Sequence, residues 1–167
     1  MNIIDTSQLI EDPYVIKYLV DKGQKLTIPR SVQSELNKKL NEWILDDQKL
    51  MQVIWAKKII QLYKSHITFA QTAENNGFGD AAIQQLIVAK LGESSISAIN
   101  VYTFDANLAL DCLNYNQSRS IQHGSIVKTF RYKNNKEELF QPVPKNKEKP
   151  VQPVPKYPKI ITTKQEH

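Results

Sequence analysis

The chain has a single cysteine, Cys112. That excludes an intramolecular disulfide and a zinc site built from several cysteines, and leaves Cys112 as a small apolar residue expected to be buried on a helix. Histidine is scarce too, and His66 and His123 stand alone without metal-ligand spacing. No apolar run reaches the roughly 18 residues that a membrane helix needs. The opening MNIIDTSQL lacks the basic-then-apolar order of a secretory signal, so the expected compartment is the cytoplasm, with no membrane partner. Glycine is sparse at five residues. None falls in DTSQLIEDP, where a nucleotide-binding Rossmann domain needs a glycine-rich turn after its first strand. A phosphatase of haloacid-dehalogenase type is excluded similarly, because Ser7 stands where that chemistry needs a second aspartate.

Net positive charge is also missing from most of the chain. Residues 1–130 hold 13 Lys/Arg against 13 Asp/Glu, whereas residues 131–167 hold 9 against 4, which is the entire excess of five. The same C-terminal stretch takes six of the eight prolines, none of the glycines, and the repeated QPVPK at 141–145 and 152–156. That composition favours polyproline II and supplies no packed core. The expected division is a globular domain over residues 1–132 and a basic, weakly ordered Pro/Lys-rich tail over 133–167, either a solvated extension or a holder of a partner.

With 41% hydrophobic residues, the first part can bury one core. Its apolar pattern alternates between short runs and helical spacing, as in a mainly parallel sheet covered by helices, an α/β sandwich. Strands are expected at Asn2–Ile4, Lys25–Ile28, Ile67–Ala70, Asn100–Phe104 and within Ile121–Arg131. Helices are expected from Pro13 to a stop at Gly23, from Pro29 through the Val32, Leu36 and Leu40 stripe, along Glu42–Tyr63, over Ala81–Leu91 with Gly92 as its cap, and over Ala106–Asn114. Ala73–Gly79 reads as a loop. Trp43 and Trp55, twelve residues apart, read as packing residues.

Ligands of open α/β sheets bind beyond the carboxyl ends of the strands, and three acids occupy such places. Asp5 follows the first strand in NIIDTS, Asp80 opens a helix in GFGDAAI, and Asp105 follows the strand in NVYTF. Each alone suits a helix cap. Glu35 lies inside a helix, in IPRSVQSEL, beside the apolar stripe, where its carboxylate reaches toward the sheet edge. Converging carboxylates repel and take up protons unless a cation neutralises them. Hard oxygen donors suit Mg²⁺ or Mn²⁺. Arg30, Lys38 and Lys39 share the Glu35 helix and are candidates for phosphate contact, although such pairs are usually solvated surface.

This arrangement resembles the PIN-domain family of metal-dependent ribonucleases. The segments that carry the resemblance are NIIDTSQLIEDP, LTIPRSVQSELNKK, NGFGDAAIQQLIVAKLG and VYTFDANLAL, in the family's order from Asn2 to Tyr115. The opening half is most similar to the PIN domains of PhoH-like proteins, with VapC-type toxins more distant. The resemblance implies a three-layer α/β/α sandwich. It implies Asp5, Glu35, Asp80 and Asp105 as catalytic and metal-binding residues, Ser7, Thr103 and Asn107 as supporting ones, and Mg²⁺ or Mn²⁺ as cofactor. It further implies endonucleolytic hydrolysis of single-stranded RNA to a 5′-phosphate and a 3′-hydroxyl. A cognate antitoxin, another protein partner or a homodimer are the associations this reading admits. Two departures stand out: the segment between Glu35 and Asp80 is longer than in compact toxins, and Asn107 replaces an acid found in many relatives. The alternative expectation is a PIN-like module that binds RNA or protein without cutting it.

Overall fold

A computed structural model of the chain describes residues 1–71, 79–91, 93, 98–117 and 126–144. The apolar opening forms strand β1, Asn2–Ile4, buried throughout. Asp5 then turns the chain, its carboxylate accepting from the Ser7 amide, and helix α1, Thr6–Glu11, starts at once. Sequence periodicity gives no sign of α1 because its buried positions include Thr6 and Gln8. Gln8 acts as a strand neighbour, donating to the Tyr132 carbonyl at 2.8 Å and accepting from the Tyr132 amide at 2.9 Å. Helix α2, Val15–Asp21, ends at Gly23, whose φ of 67° is the left-handed turn expected there. The amides of Gly23 and Gln24 return to the Val20 and Leu19 carbonyls, closing the helix end.

Strand β2, Leu26–Pro29, runs directly into α3, Arg30–Glu42. Val32 and Leu36 of the expected stripe are buried in α3 and Leu40 is packed against the core. The continuous helix expected over Glu42–Tyr63 is interrupted. Asp46 accepts from the Lys49 amide at 3.1 Å and caps a separate helix, α4, Asp47–Leu62, because an aspartate that satisfies a free helix amide favours a start over continuation. A short 3₁₀ turn, Lys64–His66, leads to β3, Ile67–Ala70. Helix α5 spans Gly79–Leu91, beginning two residues ahead of the expected Ala81. The remainder of the expected 73–79 loop, Gly92 and residues 121–125 lie outside the described residues.

Strand β4 is Ala98–Tyr102, not Asn100–Phe104. Its end is decided by side chains, since the Phe104 amide donates to Ser7 Oγ and the Asp105 amide to Thr103 Oγ1, each at 2.9 Å. Helix α6, Ala106–Asn114, follows as expected, and Cys112 within it is fully buried.

The sheet continues past the expected boundary at Tyr132. Strand β5 continues to Lys133, and Lys136–Leu139 forms β6, antiparallel to it. Asn134 and Asn135 make the two-residue connection with φ of 51° and 62°, a conformation that asparagine tolerates and that matches the twist of paired strands. The hairpin is tied into the body by Glu137, which accepts from the Tyr102 hydroxyl at 2.5 Å and the Tyr18 hydroxyl at 2.6 Å. Burial alone would raise the Glu137 carboxyl, but these hydrogen bonds and the Lys22 charge hold it below its ordinary value. Of the expected tail, residues 145–167 lie outside the described residues.

The six-stranded sheet has the order β3-β2-β1-β4-β5-β6, with the first five strands parallel. Neighbouring residues on β1 alternate between two apolar cores, as the two-residue period of a strand requires. Ile4 joins side chains from α1–α4, and Ile3 joins side chains from α5 and α6. Among the described residues, no helix is long and apolar enough to cross a membrane.

Candidate active site

From β1 the sheet grows in both directions, toward β2 on one side and β4 on the other. At such a reversal the connections leave opposite faces of the sheet and a crevice opens beyond the strand ends. Asp5 follows β1 at this crevice, and Asp105 follows β4 after Thr103 and Phe104. Glu35 comes from the first half of α3 and Asp80 from the first turn of α5. All four carboxylates, with Ser7, line one open cleft of about 360 Å³.

The Asp5 side chain is the most constrained. Its Oδ2 accepts from the Ser7 hydroxyl at 2.5 Å, the Thr103 hydroxyl at 2.9 Å and the Ser7 amide at 3.2 Å. Ser7 and Thr103 also lie 3.1 Å apart through their hydroxyls, so the ends of β1 and β4 are joined through one carboxylate oxygen. Burial raises the Asp5 pKa, and those hydrogen bonds act in the opposite direction without cancelling it. Asp105 Oδ1 accepts from the Asn107 amide at 2.8 Å and the Leu108 amide at 3.1 Å, capping α6. Asp5 and Asp105 are thus helix caps as well as cleft residues. A capping carboxylate commits one oxygen in this manner and leaves the other outside the cap.

Glu35 is half-buried. Thr6 Oγ1 donates to its Oε2 at 2.8 Å, and Lys39, one turn along α3, stands 3.8 Å from its Oε1. The i, i+4 spacing that puts both on one helix face also brings Lys39 over the Trp43 ring, 4.7 Å from its centroid. Asp80 differs in having its pKa pushed up to about 6, first by partial burial and then by the charges of Asp5, Asp105 and Glu35, with Asp111 contributing. Asp80 keeps an exposed surface, so solvent screens part of that repulsion.

Of the expected basic residues, only Lys39 lines the cleft. Lys38 is exposed and pairs with Glu42, and Arg30 is exposed at the start of α3. Asn107 contributes its backbone amide to Asp105 while its residue surface is exposed. Trp43 and Phe104 line the cleft although neither stands out by spacing, as does Glu11. Thr6 also escapes a sequence reading, for its hydroxyl becomes meaningful only beside Glu35. Gly79 carried a legible signal, the glycine before Asp80 in GFGD. A Cβ there would sit 2.8 Å from Glu35 Oε2, closer than such atoms approach.

Among the described residues, no three His, Cys, Asp or Glu side chains stand close enough together to hold one ion directly. The donor set is nevertheless hard oxygen alone, and Mg²⁺ keeps several of its own waters when protein-bound, so these residues fit a hydrated cation. No protein-family model matches the chain, and no curated protein matches it.

Proposed function

We propose that the protein is a metal-dependent endoribonuclease of PIN type, acting on single-stranded RNA with Mg²⁺ or Mn²⁺. The observation that carries this reading is the convergence of Asp5, Glu35, Asp80 and Asp105, from four separate segments, on one cleft at the sheet reversal. The raised Asp80 pKa supports it: burial is its first cause, and the repulsion by Asp5, Asp105 and Glu35 that adds to it is what a bound cation relieves. Two cores on opposite faces of a mainly parallel sheet suit the family's three-layer α/β/α sandwich.

Asp5, Asp80, Asp105 and Glu35 are the residues that would hold the cation, in part through its retained waters. When bound, such an ion activates water and offsets charge developing on the phosphoryl and leaving oxygens. The chain's own groups position the reaction. Ser7 and Thr103 fix the Asp5 carboxylate, Thr6 fixes Glu35, and Lys39 supplies positive charge for a phosphate beside it. Glu35, held at Oε2, orients the attacking water and takes its proton; as the water oxygen bonds to phosphorus the P–O3′ bond breaks, and the departing O3′ takes a proton from solvent, leaving a 5′-phosphate and a 3′-hydroxyl.

Incubation of single-stranded RNA with Mg²⁺ or Mn²⁺ tests the reading, comparing wild type with Asp5→Asn and Asp80→Asn. Cleavage by wild type, lost in both variants and in EDTA, is expected. Activity that survives both substitutions or EDTA refutes it. The capping roles of Asp5 and Asp105 favour a second reading, a PIN-like module that binds RNA or protein without hydrolysis. It predicts no cleavage by wild type under any metal.

A further inference from the structure

We infer that the β5–β6 hairpin carries a second, basic subsite that holds the phosphodiester backbone of single-stranded RNA running out of the acidic cleft; this rests on the cleft being the reactive centre. A cavity of about 290 Å³ lies on the hairpin, lined by Phe104, Arg131, Lys133, Asn134, Lys136 and Glu138. Phe104 is a wall of both this cavity and the acidic cleft. A second link is ionic, because Lys133 of the hairpin cavity pairs with Glu11 of the cleft. The two spaces are therefore adjoining parts of one surface, with opposite charge.

The cavity is lined by three cations and the carboxylate of Glu138, and one of the cations, Lys133, is already paired with Glu11 of the cleft. Arg131 is clamped between two rings, its guanidinium carbon 5.2 Å from the Phe104 centroid and 3.4 Å from that of Phe140. Among the described residues it forms no ion pair, and its buried Nε has no hydrogen-bond partner. The rings hold its charge in place, and Glu138, opposite it on β6, forms no ion pair with it. Lys136 likewise has no ion pair among the described residues. Fixed, unneutralised Arg and Lys beside a flat aromatic wall are the features that recognise a phosphate with an unstacked base. Residues 145–167 are an unsuitable occupant, since they carry six Lys against two Glu and have the same sign as the cavity. The subsite also accounts for RNA capture by a body whose first 130 residues have no net charge.

The test measures binding of a labelled single-stranded oligoribonucleotide in EDTA by fluorescence anisotropy across a salt series, so that cleavage plays no part. Lys133→Gln/Lys136→Gln is compared with Lys58→Gln/Lys64→Gln, which removes the same charge from exposed sites elsewhere. Loss of the unpaired Lys136 and of Lys133, whose charge Glu11 already shares, should reduce the slope of log affinity against log salt by about 0.7 to 1.4 in the hairpin variant, with weaker binding, while the control retains the wild-type slope. Lys136→Glu alone, at an exposed position, should lower the slope by at least about 0.7 and covers the case in which the double variant does not fold. An unchanged slope, or an equal fall in the control, overturns the proposal. So does polyglutamate that binds with the same dependence on these lysines and displaces the RNA, because the surface is then one for acidic protein. If the slope result holds but wild type never cleaves RNA, the subsite stands and the nuclease reading alone fails.

Discussion

Replacing Asp80 by asparagine should stabilise the metal-free protein. The isosteric amide removes a negative charge whose burial and proximity to Asp5, Asp105 and Glu35 push the carboxyl up to about 6 from its ordinary 3.8. A folded-state pKa above the unfolded value means that ionisation opposes folding. The cost is absent below about pH 3, where both states are protonated, grows as pH rises from the unfolded value toward about 6, and is complete above it. A shift of roughly two units corresponds nominally to about 3 kcal/mol. Asp80 is exposed, however, so screening reduces this to about 1 kcal/mol. In a domain of this size, that is a rise in Tm of about 4 °C. Thermal unfolding in EDTA at about pH 7 and about pH 3 reads the effect: Asp80→Asn should melt higher at the former and equal wild type at the latter. Mg²⁺ should then raise the Tm of wild type by more than that of the variant, because the variant has one fewer of the four carboxylates whose charge the ion neutralises. An Asp80→Asn protein less stable than wild type at about pH 7, or equally shifted by Mg²⁺, refutes the argument that these carboxylates repel one another across the cleft.

Gly79→Ala should fold with near-wild-type Tm yet lose most RNA cleavage. Its new Cβ would stand 2.8 Å from Glu35 Oε2, the oxygen that Thr6 holds, and would displace that side-chain end rather than backbone; a normal Tm with normal activity contradicts the placement of Glu35. Asp105→Ala removes a cap that accepts from Asn107 and Leu108 and should cost about 1 kcal/mol in denaturant unfolding, in addition to any catalytic loss. Glu137→Gln should destabilise the hairpin by roughly 1–3 kcal/mol, read in the same way. The pKa of Glu137 is held below its ordinary value, so its contribution is present above about pH 4.3 and fades as acid protonates the folded state. The gap between wild type and variant should therefore narrow on acidification, and a gap constant with pH contradicts the charge-based account.

The amino-acid sequence by itself determined the elements whose signal is local. Asn2–Ile4, Ile67–Ala70 and Ala106–Asn114 lie where apolar patterning puts them, because a continuous apolar run or a helical stripe states its own burial. Gly23 ends α2 for an equally local reason, its positive φ. The positions of Asp5, Asp80 and Asp105 at strand and helix ends were legible for the same reason. Helix α1 was not, since Gln8 is buried by a bond to Tyr132, 124 residues away. Nor was the β5–β6 hairpin, where the lysines and prolines of the C-terminal stretch, averaged together, concealed a two-residue asparagine turn and a strand fastened by Tyr18 and Tyr102. Only the tertiary structure chose Lys39 over Arg30 and Lys38 for the cleft and put Thr6 and Gly79 against Glu35. Sequence records which groups are available and their local periodicity; which of them meet is decided by strand order and by the packing of α3 and α5 across the sheet reversal.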